Sequence, residues 1–104
     1  MKSVDTLDQF LNQAAADNRL YPTHISLFIA IFYHSHAGLP FTKFQVTRRK
    51  LMIFSRIKSK ATYHKCLREL VAFGYISYQP SFDPYKASLV TMLSEWDTAE
   101  IIKQ

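Results

Sequence analysis

With 104 residues, nearly half of them apolar, the chain has room for one domain and one hydrophobic core, and its wealth of aromatics excludes a disordered polypeptide. A single cysteine excludes an internal disulfide, and the longest apolar run, Leu27 to Tyr33, falls far short of the ~20 residues that span a bilayer. The net charge of +5 is uneven: ten of the 13 Lys and Arg lie between Lys43 and Lys86, against two of the eight acids, which points to a polyanionic partner.

Ser3 or Asp5 caps a first helix that runs to about Asp17 and gathers Val4, Leu7, Phe10, Leu11 and Ala14 on one stripe. Tyr21-Pro22-Thr23 restarts the chain, and Thr23 caps a second helix reaching about His36. That helix is apolar almost all round (Ile25, Leu27, Phe28, Ile29, Ile31, Phe32), the pattern of an element at the centre of a small core. Gly38 and Pro40 end it. Phe41 to Val46 alternates weakly and reads as a short strand. Thr47 caps a third helix of about two turns that places Leu51 and Phe54 inward, and Ser55 to Lys58 is a turn whose Ile57 plugs the core.

Ser59 caps the fourth helix. Wound at 100° per residue from Lys60 to Phe73, it puts Tyr63, Cys66, Leu67, Leu70, Val71 and Phe73 on one side. Lys60, His64 and Arg68 stack at i, i+4 and i+8 on the other, with Lys65 beside them. Gly74 supplies the left-handed residue that closes the helix. Tyr75 to Gln79 and Ala87 to Met92 read as strands joined by PSFDPYK, whose prolines and Asp83 break both ladders. Ser94-Glu95-Trp96-Asp97 has capping-box spacing and predicts a last helix to the C-terminus carrying Trp96, Ile101 and Ile102. The expected class is α+β, mainly α, in one domain spanning 1–104.

The cations are placed against local stability. Arg48, Arg49 and Lys50 occupy the first turn of the third helix and Lys60 that of the fourth. Helix starts carry partial positive charge, so a cation there costs roughly 0.3–1 kcal/mol where an acid would contribute as much. Breaking the rule at both starts implies that an external anion supplies the balance. Phosphate suits the role, because the exposed N–H groups of a helix start also bind anions.

The run S-K-x-T-Y-x-K-x-L-x-E-L-x-x-x-G-Y-I at Ser59–Ile76 resembles the recognition helix and first wing strand of bacterial winged helix-turn-helix proteins. The preceding T-x-x-x-L-x-x-x-S-x-I at Thr47–Ile57 is similar to their first helix and turn, and the resemblance covers about 22–92, with 1–20 and 94–104 as flanking helices. It implies a winged helix that binds double-stranded DNA, for which a transcriptional regulator is expected. The tail PSFDPYKASLV resembles small winged-helix proteins of bacterial mobile elements and replication modules, so the alternative is a replication or mobilisation factor. Lys60, His64, Lys65 and Arg68 would enter the major groove, and Arg48, Arg49, Lys50 and Lys58 would lie on the backbone. Ser59 and Thr62 have hydroxyls suited to phosphate contacts beside their capping roles. The wing tip departs from the family's usual basic character: Lys86 alone would touch a phosphate, while Phe82 and Tyr85 fold back under the loop. The flanking helices either pack on the core or form a two-fold interface, and the resemblance favours a homodimer.

Other chemistry finds little support. His34 and His36 diverge by about 200° on a helix, and Cys66 has no companion at zinc spacing, so no metal or cofactor is expected. Cys66 belongs to the apolar back of the fourth helix as a buried thiol. No glycine loop, Ser/His/Asp set or paired carboxylates accompany the six tyrosines, and no catalytic residue is expected. No small-molecule ligand is evident. The N-terminal MKSVDTLDQF lacks a signal peptide's apolar core, and a cytoplasmic protein, nucleoid-associated when bound and with no membrane partner, is expected. The rival from another class is a winged-helix docking module that binds protein rather than DNA.

Overall fold

The computed structural model describes residues 5–35, 38–81 and 87–93. Their elements are α1 (Asp5–Ala16), α2 (Pro22–His34), β1 (Phe44–Val46), α3 (Arg48–Ser55), α4 (Lys60–Ala72), β2 (Ile76–Gln79) and β3 (Ser88–Met92). The result is a mainly helical α+β unit with four helices and one antiparallel sheet of three strands among the described residues. The expected last helix with Trp96, Ile101 and Ile102, and the loop with Phe82, Tyr85 and Lys86, lie outside them.

An apolar helix must be covered on most sides, and α2 meets α1, α3, α4 and β1. Leu27, Phe28 and Ile31 are fully buried, whereas Ile29 and Tyr33 stay exposed. The cap differs from the sequence expectation. Pro22, not Thr23, starts the helix: its missing N–H costs nothing in the first turn, and its fixed φ already suits the helix. Tyr21 precedes it, and the Tyr21 N–H donates to Nδ1 of buried His24 at 2.8 Å. The helix ends at His34, short of the expected His36, because Ser35 turns extended.

α1 is held by its aromatic. The Phe10 ring stacks on Phe28 with centroids 3.8 Å apart and meets Tyr75 edge-on. The buried stripe is Thr6, Phe10 and Ala14, turned away from Leu11, which stays exposed contrary to expectation. A loop cluster ties this end to β2. Arg19 donates through Nε and Nη2 to the Asp17 carboxylate and lies over the Phe73 ring, while the Tyr75 hydroxyl donates to Asp17 at 2.7 Å.

β3 is the central strand, with β1 and β2 at the edges. Phe44 pairs with Val90, Ile76 with Met92 and Tyr78 with Val90, so strand alternation puts Phe44, Val46, Ile76, Val90 and Met92 on the face that closes the core. β1 is shorter than the expected Phe41–Val46 because Phe41 has φ +62°, with its N–H donating to the Met92 carbonyl.

The centre of the fold follows the sequence closely. Leu51, Ile57, Tyr63, Cys66, Leu67 and Leu70 are buried, and Gly74 has φ +86°. Two inward assignments fail. Phe54 is 51% exposed, stacked on Tyr33 at the surface, because α3 packs against α2 on one side only. Val71 is 40% exposed, on the solvent side of α4.

Candidate nucleic-acid interface

The basic segment contains two capped helix starts. Thr47 Oγ1 accepts from the Lys50 N–H at 3.3 Å and Ser59 Oγ from the Thr62 N–H at 3.2 Å, so each hydroxyl satisfies one donor that the helix cannot. Neither first turn contains an acid. Between the helices Arg56 adopts a left-handed conformation, φ +64°, and its N–H returns to the Ile53 carbonyl. Ser26 Oγ donates to the Ser55 carbonyl, pinning this turn to α2 while Ile57 enters the core.

Arg48, Arg49, Lys50, Lys58, Ser59, Lys60, His64, Lys65 and Arg68 are all exposed, and Thr62 is half-buried. Lys86 lies outside the described residues. The fold gathers Lys58, Ser59 and Thr62 around one surface hollow with Arg56. His64 and Arg68 border a second, between α4 and β2, whose walls are Leu67, Val71, Ala72 and Tyr78. Arg48, Arg49, Lys50, Lys60 and Lys65 stand outside both hollows. Arg48 lies near enough to Tyr63 for its charge to act on the phenol. Burial first, and Tyr78 second, push that phenol up to about 12 against the opposing pull of Arg48.

Three described carboxylates, Asp8, Asp17 and Glu69, are engaged away from these cations. Glu69, the acid of α4, reaches His24 Nε2 at 2.9 Å. Asp17 takes Arg19 and Tyr75, and Asp8 accepts from Asn12. Arg19's two contacts hold the Asp17 carboxyl well below the usual carboxylate range, with burial opposing and the Tyr75 hydroxyl helping. Neither the Arg19–Asp17 ion pair nor the His24–Glu69 contact involves a Lys or Arg of the basic segment.

Three groups were not foreseen. Arg56 adds a cation at the turn, and its position inside the basic run was the available signal. Val71, which the sequence reading had put on the apolar side of the helix, and Tyr78 of the strand join the site as an apolar wall. His24, a polar residue in an apolar helix, holds Glu69 away from the cations across 45 residues, and no local pattern reveals such a pair. Cys66 is buried, its Sγ 3.3 Å from Thr23 Oγ1, and no cluster of metal-ligating side chains occurs among the described residues.

The described residues form a mainly helical α+β protein with exposed cations at the starts of α3 and α4, and no helix among them is long and apolar enough to cross a membrane. Comparison with family models, with curated proteins and with solved structures gives no match.

Proposed function

We propose that this chain is a winged-helix protein that binds double-stranded DNA in a sequence-directed manner and serves as a transcriptional regulator. In this reading α3, the turn and α4 form the helix-turn-helix, α4 enters the major groove, and β2 and β3 form the wing. Lys60, His64, Lys65 and Arg68 face base edges and flanking phosphates. Arg48, Arg49, Lys50 and Lys58 neutralise the backbone, and the hydroxyls of Ser59 and Thr62 add contacts to it.

The observation that carries this reading is electrostatic. Exposed cations crowd the starts of α3 and α4 while the nearest acid in sequence, Glu69, is bound to His24. Such a face is destabilising alone and favourable beside phosphate. A duplex supplies phosphates in a fixed row, so affinity should come largely from counterion release.

The test separates DNA binding from protein docking. Lys60→Ala, Lys65→Ala and Arg68→Ala combined should leave the unfolding curve nearly unchanged, since all three side chains are exposed, and abolish retention on duplex DNA at moderate salt. Retention undiminished in the triple variant would remove α4 from the interface.

A second reading has its own observation. Ile29, Tyr33, Ile53 and Phe54 expose apolar surface on α2 and α3, which suits a docking module and is compatible with DNA binding elsewhere. The dimer through flanking helices remains a proposal in which α1 can offer Leu11 but not its buried stripe. Sedimentation of the chain with and without residues 94–104 tests it. Genomic neighbours distinguish a regulator from a replication or mobilisation factor.

A further inference from the structure

The outward arc of α4 contains Lys60, Ala61, His64, Lys65, Arg68, Val71 and Ala72, all exposed. Its polar groups are hydrogen-bond donors, apart from one ring nitrogen of His64. Glu69 is engaged by His24, and Thr62 lies off the arc, in the hollow shared with Thr23 and Ser26. Cytosine and adenine present amino donors in the major groove and need an acceptor opposite them. Guanine presents two acceptors, and thymine one acceptor and a methyl group. The arc therefore matches guanine and thymine edges.

Arg68 stands at the middle of this arc, opposite the buried side of the helix, and makes no hydrogen bond or ion pair with the described residues. Beside it runs the groove walled by Leu67, Val71, Ala72 and Tyr78. Val71 is an apolar side chain left out of the core directly next to a guanidinium, and the groove is open to solvent. A two-pronged donor and an apolar recess side by side correspond to two neighbouring bases.

We propose that Arg68 and this groove read a thymine–guanine step: the guanidinium donates to O6 and N7 of guanine, and the groove takes the C5 methyl of the adjoining thymine. The assignment rests on the duplex-binding reading above and makes Arg68, Val71 and Tyr78 specificity-determining residues of that site.

The test deletes single atoms from the DNA. Duplexes selected from a random pool by the full chain should share a TG step. In the tightest of them, 7-deazaguanine at that step removes the N7 acceptor and should weaken binding about fivefold or more. Deoxyuridine in place of the thymine removes the methyl and should weaken it about three- to fourfold. Arg68→Met removes every donor at this position, so it should lose the 7-deazaguanine effect while the remaining cations keep most of the salt dependence. Equal affinity across the pool, or insensitivity to either base analogue, overturns the assignment and leaves duplex binding standing. Failure to bind any duplex at low salt overturns both.

Discussion

Nε2 of His24 lies 2.9 Å from Oε1 of Glu69, and this contact turns the acid of α4 toward the core edge and away from the cationic arc. Because Nδ1 of His24 accepts from the Tyr21 N–H, Nε2 carries the hydrogen and donates to the carboxylate. The pair thus joins the start of α2 to the third turn of α4. Glu69→Ala leaves a buried N–H without its acceptor and should cost about 1–3 kcal/mol in urea unfolding. Glu69→Gln keeps an acceptor oxygen and should cost less. Equal stability of the two variants would contradict this role.

Asp17 contributes to the acid sensitivity of the fold. Its folded carboxyl is held low by Arg19, with Tyr75 contributing, so it binds protons less readily folded than unfolded. The contribution is complete at neutral pH and is lost as pH falls through and below the ordinary carboxylate range, below about pH 5. Urea midpoints at pH 7 and pH 3 should therefore differ more in the natural chain than in Asp17→Asn, which should start lower at pH 7.

The alkaline limit involves Tyr63, whose phenol is raised mainly by burial to about 12. A raised folded value means that stability is complete below about pH 10 and is lost as pH rises through 12. Thermal midpoints between pH 9 and pH 12 should fall more steeply in the natural chain than in Tyr63→Phe.

The first helix is part of the core rather than an appendage. Phe10 is fully buried against Phe28, whereas its neighbour Leu11 is 42% exposed. Phe10→Ala should cost about 3–5 kcal/mol, enough to threaten the fold. Leu11→Ala should stay within about 0.5 kcal/mol, as for most surface positions. Chemical denaturation of both variants checks the contrast.

What was legible in the sequence was local. Ser59 as cap, a helix from Lys60 expected to Phe73 and found to Ala72, and Gly74 as its closing residue follow from side-chain hydrogen bonding, period and φ alone. The cations at both helix starts were visible for the same reason. Thr23 misled because a proline just before it fits the first helical position better than a hydroxyl fits the cap. Phe54 misled because a helical wheel gives the apolar side but not how far the neighbours extend around it, and Val71 because its apolar type outweighed its angle, which at 100° per residue falls between Lys60 and His64. Pairing of β1 with β3 and of His24 with Glu69 each join residues more than 40 positions apart, which no window of sequence encodes.

The central claim is that the exposed cations of α3 and α4 meet the phosphates of a duplex. Fluorescence anisotropy of the full chain on a selected duplex, repeated over a series of salt concentrations, tests it most directly. If about five cations displace counterions, log affinity should fall against log salt with a slope near −4 to −5. A complex whose affinity does not change with salt, or no complex at low salt, would contradict the account.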